Sequence, residues 1–398
     1  MKHLFLTISF ALFFSLLFAQ NEEPKKPEGY VFTPVKEIKH TSVKNQYRSG
    51  TCWSFSALSF IEAEVIRKSG KELDLSEMFV VYHAYAEKAQ KFVRLHGKAN
   101  FAAGGGFHDV TSCISKYGMI PEEAYKGIQY NEANHVHGEL DNLLKALVEG
   151  VVENPNKKLS PVWPKAVNGV LAAYLGEIPE KFTYQGKEYT ARTFADQIIN
   201  LNMNDYVEIG SYTHHPFYAQ FALEIEDNWQ WDNIYNLPLD DMMKVIDNAI
   251  ENGYTVAWGA DVSEKGFSWK NGVAIVPEQD AANMSGLEKD KWEKMSKEEQ
   301  QKALFSFDKP NAEKVITQEN RQIAFDNYET TDDHGMLIVG TAKDQNGNLY
   351  YKIKNSWDVD QKYKGYFYAS KAYVAYKTTT LMIHKEAIPK DIRKKINL

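Results

Sequence analysis

The hydrophobic repeat changes its period along the chain, and that change limits the folds open to it. After Thr51, the residues Trp53, Phe55, Ala57, Leu58, Ile61, Ala63, Val65 and Ile66 cluster at three- and four-residue steps, the mark of a helix buried on most sides. Ser69-Gly70 ends it, and Ser76 can cap a second helix running through Tyr85. Residues 109–117 predict a third, closed by Gly118. From residue 337 the pattern turns to apolar runs and alternations: Leu337-Ile338-Val339, Leu349-Tyr350-Tyr351-Lys352-Ile353-Lys354 and Tyr366-Phe367-Tyr368-Ala369. Asn346-Gly347 is a hairpin signal between the first two. Helices first and an antiparallel sheet last make this an α+β chain.

The middle of the chain fits neither half cleanly. Residues 130–204 are polar and helix-rich, with helices expected at 139–152, 163–175 and 191–200 and little strand character; they read as a helical insertion. A strand follows at 206–211. Residues 239–252 form an amphipathic helix with Met242, Val245, Ile246, Ala249 and Ile250 on one face. Residues 255–260 read as a buried strand. Residues 284–302 are highly charged and read as a solvated helix or loop.

Composition excludes several classes. Hydrophobic residues are 43% and charged residues 25% of the 398, so the chain is globular rather than disordered. The formal net charge is −7 with no basic cluster, which argues against nucleic acid as a partner. At the start, Met1-Lys2-His3 precedes the apolar run Leu4 to Phe18 and then Ala19. Residues 1–19 are expected to be a cleaved signal peptide, giving a periplasmic or secreted protein. The run is shorter than the roughly 20 residues that span a bilayer, so stable membrane insertion is not expected. Residues 21–29 are charged and carry two prolines, as a leader or arm would.

Two cysteines are present, Cys52 and Cys113. They could form one bridge, or Cys113 could be a small core residue and Cys52 a free thiol. The segment Gln46-Tyr47-Arg48-Ser49-Gly50-Thr51-Cys52-Trp53 favours the second reading. A cysteine opening a buried helix gains from the positive end of that helix, which stabilises thiolate. Its backbone N–H is an unpaired donor that can face an oxyanion, and the Gln46 amide can supply a second. His334, between Asp333 and Gly335 at the start of an apolar strand, is placed to enter a cleft. Asn355, in Lys354-Asn355-Ser356-Trp357, can accept from one imidazole nitrogen and leave the other for the thiol. Trp357 could shield that bond. Each residue alone has a plainer reading, as core histidine, turn residue or core packing. The 11 histidines include close pairs, His135/His137 and His214/His215, but no cysteine or carboxylate spacing suggests a metal site, and no cofactor is expected.

In the order Gln, Cys, His, Asn these blocks resemble the signature blocks of papain-like cysteine peptidases. The 282 residues from Cys52 to His334 exceed the roughly 130–150 of papain and cathepsins. The excess, with Lys116-Tyr117-Gly118-Met119-Ile120-Pro121 and Trp258-Gly259-Ala260-Asp261-Val262, is similar to the bleomycin hydrolase / aminopeptidase C branch. That resemblance implies a two-lobed papain-like fold over residues 20–398, with a helical left lobe, an antiparallel β right lobe and the insertion at 130–204. It implies peptide substrates and hydrolysis through a thioester, with Cys52 as nucleophile, His334 as base, Asn355 orienting it and Gln46 in the oxyanion hole. Gly105-Gly106 resembles the family's glycine pair, which binds substrate main chain; an ordinary loop is the alternative. A homo-hexamer with internal active sites is implied as well. The sequence departs from the pattern at Asp358, where a glycine is usual, in the signal peptide, and at the end of the chain, which stops short of the branch's cleft-blocking tail. Aminopeptidase activity is the expectation, with a relaxed, endopeptidase-like specificity as the alternative. An acyltransferase and a non-catalytic binding protein are further alternatives.

Overall fold

The computed structural model describes residues 29–279 and 286–398; the expected signal peptide lies outside the described residues. Strand β1 (Thr33–Glu37) leads to helices α1 (Cys52–Ser69), α2 (Glu77–Arg94), α3 (Phe107–Tyr117), α4 (Gly138–Val152) and α5 (Trp163–Leu175). A hairpin of β2 (Phe182–Tyr184) and β3 (Lys187–Tyr189) precedes the short α6 (Ala191–Phe194), which runs on into a π turn. Strands β4 (Tyr206–Gly210), β5 (Gln220–Ala222) and β6 (Asn233–Asn236) follow, then α7 (Leu239–Glu251), β7 (Val256–Ala260), β8 (Phe267–Ser268) and β9 (Val273–Ala274). Helices α8 (Gly286–Lys294), α9 (Lys297–Leu304) and α10 (Gln318–Asp326) lead to β10 (His334–Lys343), β11 (Leu349–Lys354) and β12 (Tyr366–Ser370). Helix α11 (Lys371–Lys377), β13 (Thr378–His384) and α12 (Lys390–Lys395) complete the order.

Eleven strands form one sheet in the order β5-β6-β4-β13-β7-β10-β11-β12-β9-β8, with β1 on β10. The pairings are antiparallel except β4 with β6 and β9 with β12, which are parallel. Both exceptions to the expected antiparallel sheet involve short strands that return to it after a local excursion. The period-2 pattern of the central strands explains why the sheet is covered on both faces. On β10, Leu337 and Val339 join the core under α1, while Met336 and Ile338 join the core under α7, α11 and α12. Met382 of β13 and Ala257 of β7 face the α1 side, and Leu381, Ile383, Val256 and Trp258 face the other.

The helical half follows its local signals. Ser76 Oγ accepts from Phe79 N at 3.2 Å and caps α2. Gly70, at φ 74°, ends α1. Two details depart from expectation. The segment 130–204 contains the β2–β3 hairpin, whose turn residues Gln185 and Gly186 both have positive φ, 49° and 78°, the pairing that a tight hairpin turn needs. The helix expected at 191–200 is split into α6 and the π turn, and ends with Asn200 in the left-handed region at φ 48°. Of the charged stretch, residues 284 and 285 lie outside the described residues, and the remainder contributes α8 and α9.

Arg321 on α10 fixes the approach to β10. It is 3% exposed, and its guanidinium donates to the carbonyls of Ser211, Ala375, Tyr376 and Thr378. One cation thus saturates four carbonyls from β4 and from the α11–β13 segment, anchoring the helix from which the chain runs to His334.

Candidate active site

Cys52 is the first residue of α1, and Thr51 makes no side-chain cap there. The Thr51 hydroxyl instead meets Ser49 Oγ at 2.6 Å. The first N–H groups of α1 are therefore left for another acceptor. Gly335 lets β10 press against this helix end: a methyl group there would lie 2.6 Å from Ser56 Oγ and 3.4 Å from the Cys52 carbonyl oxygen. The missing side chain after His334 thus brings the His334 backbone to the start of α1.

The orientation of His334 can be derived atom by atom. His334 Nε2 lies 2.7 Å from Asn355 Oδ1. The same oxygen accepts from Ser356 N at 2.8 Å, so it is the carbonyl end of the amide that faces the ring. Nε2 must then carry the proton, which leaves Nδ1 of the neutral ring with a lone pair. Trp357 lies over the imidazole with ring centroids 4.5 Å apart. Among the described residues Asn355 Nδ2 is buried without a hydrogen-bond partner.

Gln46 joins the cysteine segment to the asparagine segment. Its backbone N donates to Ser356 O at 2.9 Å, its Oε1 accepts from Ser356 Oγ at 2.7 Å, and its Nε2 donates to Ser49 O at 2.8 Å. One Nε2 hydrogen remains uncommitted. Asp358 takes the left-handed conformation at φ 64°, which accounts for glycine being usual there; its carboxylate accepts from Asn45 Nδ2 at 2.9 Å.

A single cavity brings together Cys52, His334, Gly105 and Gly106. Gln46, Asn355 and Trp357 are not on its wall; they stand behind it. Among the described residues His334 has one hydrogen-bond partner, Asn355, and Cys52 Sγ is not hydrogen-bonded to the ring. The glycine loop is packed with no room for side chains. A methyl on Gly105 would lie 3.0 Å from the Trp53 ring and 2.5 Å from Asp109 Oδ2. Asp109, a residue that the sequence reading passed over, accepts from Gly106 N, Trp229 Nε1 and Gln230 Nε2, and so pins the loop. Its position in the first turn of α3 was the available signal.

Comparison with known proteins follows the same lines. Residues 98–398 match the model of the peptidase C1-like family, and residues 32–160 match that of the papain family cysteine proteases. The chain belongs to the peptidase C1-like family. It is 23% identical over 399 residues to aminopeptidase C of Lactobacillus delbrueckii subsp. lactis, covering 90% of this chain and 82% of that one. Aminopeptidase C of Lactococcus lactis subsp. cremoris is 22% identical, with 88% and 82% covered. The solved structure of PepW from Lactobacillus rhamnosis HN001 superposes with a TM-score of 0.68 at 20% identity, covering 92% of this chain and 84% of that one. The fold is papain-like.

In this C1-like chain burial disfavours charge on both Cys52 and His334. Burial pushes the Cys52 thiol up to about 12; the N–H groups of Gly335 and Trp53 oppose the shift, and the charges of Asp227 and Asp332 add to it. Burial also brings His334 down to about 4, against the pull of Asn355 and Asp333. Both shifts favour the uncharged thiol and imidazole, and the hydrogen bond to Asn355 Oδ1 sets the ring in the tautomer with a free Nδ1 lone pair.

Both cysteines are free, so no bridge joins Cys52 to Cys113, which is buried on α3. The histidine pairs fare differently. His135 and His137 are buried beside α1. His214 and His215 are joined by Glu224, a carboxylate that spacing alone did not suggest, at 3.1 and 2.7 Å. That trio could hold a metal ion by distance. However, Gln322 Nε2 donates to His214 Nδ1 while its Oε1 accepts from Thr213 N. This puts the His214 proton on Nε2, the atom a metal would need.

Proposed function

We propose that this C1-like chain is a cysteine-type aminopeptidase, hydrolysing peptides from the amino terminus through Cys52. The observation that carries the reading is the Ser356 N–Asn355 Oδ1–His334 Nε2 chain, which leaves Nδ1 as a base on the wall that Cys52 shares. Cys52 and His334 line the same cavity, and the reaction requires Sγ to come within hydrogen-bonding distance of Nδ1. Imidazole then takes the thiol proton, and the thiolate attacks the scissile carbonyl carbon. The oxyanion would receive the Cys52 N–H and the uncommitted Gln46 hydrogen. The carbon–nitrogen bond breaks as the imidazolium returns its proton to the departing amine, and water deprotonated by Nδ1 hydrolyses the thioester. Main chain of the substrate would lie along Gly105-Gly106. The aminopeptidase C relatives support the choice of substrate end.

The test is hydrolysis of free-amino fluorogenic peptides by wild type and Cys52→Ala, with iodoacetamide titration of wild type. Activity should disappear with the thiol, and one equivalent of label should enter at Cys52 rather than the buried Cys113. Activity that survives Cys52→Ala would refute the reading.

We further propose export through cleavage after Ala19, supported by the apolar run at residues 4–18; sequencing of the mature amino terminus decides it. A homo-hexamer and an insertion at 130–204 rest on resemblance to the branch, and sedimentation and limited proteolysis test them. Among the described residues, no helix is long and apolar enough to cross a membrane.

A further inference from the structure

Four carboxylates line the Cys52 cavity: Glu208, Asp227, Asp332 and Asp333. Asp333 accepts from Ser263 N at 3.0 Å and Thr331 Oγ1 at 2.9 Å, whereas among the described residues no cation lies within ion-pairing distance of Asp227 or Asp332. Among the described residues Asp227 makes no hydrogen bond or ion pair within 4 Å, and Asp332 accepts one hydrogen bond, from Thr379 Oγ1 at 3.0 Å. Lys88, whose charge Asp227 feels, commits its ammonium to the carbonyls of Ala102 and Gly104. Glu208 on the same wall is different. It accepts from His108 N at 2.6 Å, His108 Nδ1 at 3.0 Å and Thr380 Oγ1 at 3.2 Å.

Two further observations point to a ligand. Gly104 is bare where Asp227 abuts it, since a methyl there would lie 2.0 Å from Asp227 Oδ2, so the carboxylate adjoins the glycine loop. His108, 8% exposed and on the cavity wall, has no hydrogen-bond partner on Nε2, which is 3.7 Å from Asp109 Oδ1. Although burial disfavours its charge, Glu208 and then Asp109 hold His108 protonated, up to about 9. The wall therefore offers one open N–H beside two open carboxylates. A peptide terminus, with an ammonium group and carbonyl oxygens, satisfies both kinds of group.

We propose that Asp227 and Asp332 receive the protonated α-amino group of the substrate and thereby restrict cleavage to the first residue of a peptide. The proposal rests on the thiol-peptidase reading and deepens it. In an amino-terminal residue the nitrogen is two bonds from the scissile carbonyl carbon, so its receptor must adjoin the nucleophile. Both carboxylates are close enough to Cys52 to oppose its ionisation. The ammonium group of a lysine on a preceding residue is the same chemistry from a more distant source. A bound ammonium offsets the part of the opposition to thiolate that these two charges add to burial.

Wild type, Asp227→Asn, Asp332→Asn and the double variant are assayed on leucyl-aminocoumarin, N-acetyl-leucyl-aminocoumarin and N-acetyl-lysyl-leucyl-aminocoumarin. The double variant should lose at least tenfold in kcat/KM on the free-amino substrate, with no loss on N-acetyl-leucyl-aminocoumarin. An equal fall on both, or an unchanged ratio, overturns the proposal. So does a wild-type preference for the blocked lysyl substrate that the variants lose, because the receptor then reads a side chain. Binding of leucinamide and N-acetyl-leucinamide to Cys52→Ala, measured by calorimetry, is independent of turnover. Leucinamide should bind at least tenfold tighter, and the added double substitution should erase the difference; equal binding overturns the proposal. Activity retained by Cys52→Ala would instead refute the thiol chemistry itself.

Discussion

In the Cys52 cavity Glu208 is surrounded by donors from α3 and β13, while Asp227 and Asp332 stand without a cation. Glu208, Asp227 and Asp332 share a cavity and a chemical type, so their difference lies in what the fold has provided for each. Glu208 ties β4 to α3, and its charge is spent in the folded protein. Asp227 and Asp332 are held in a setting that disfavours their ionisation, and the tertiary structure draws from them only the hydrogen bond from Thr379 to Asp332. A buried charge supplied with donors is part of the scaffold; one left open waits for a partner from outside.

Removing Glu208 should break the comparison most sharply. Glu208→Ala strands the His108 imidazolium and should lower the unfolding free energy by about 3–5 kcal/mol in urea titrations. Next comes the orienting amide. Asn355→Ala frees the His334 ring and should lower kcat on the order of 100-fold with KM nearly constant, as general-base catalysis is lost. A fall in KM-limited binding alone would contradict the tautomer argument. The smallest effect is expected at the open carboxylates: Asp332→Asn should leave stability near neutral pH unchanged or raised by about 0–1 kcal/mol.

The pH dependence sharpens that last point. Burial and then the charge of Asp227 push Asp332 up to about 7. Asp227 is pushed up to about 6 by burial, with Lys88 opposing and Asp109 adding. Unfolded aspartate titrates near about 3.9. The folded protein therefore holds protons that the unfolded chain releases, and the stability from these groups is complete below about pH 4 and lost as pH rises through their folded values. Relative to wild type, the double asparagine variant should gain stability from pH 4 to pH 8 in paired thermal melts. A constant difference across that range would contradict the assignment.

Cys52, His334 and Asn355 were legible as candidates for nucleophile, base and orienting amide because each sits at the end of an element with a strong local pattern. Cys52 opens an apolar helix, His334 opens an apolar strand and Asn355 follows one. The α+β division was legible for the same reason, since the two periods are properties of contiguous residues. Asp227 and Asp332 were not legible, because they meet only after the sheet has placed the loop after β5 beside the loop before β10. Arg321 was hidden for a related reason: its partners are carbonyls, which leave no trace in residue identity. The β2–β3 hairpin had a local signal in Gln185-Gly186, but its strands of three residues each are too short for alternation to register.

The division of strands β7, β10 and β13 between two cores has a mechanical consequence. Each backbone carries alternate side chains into opposite interiors, so parting the halves of the molecule would tear one interior or the other. A peptide cannot be admitted by a hinge between them. It must slide into a slot of fixed width, with only side chains and loop tips yielding, and turnover should be paced by chemistry rather than by the swinging of large bodies.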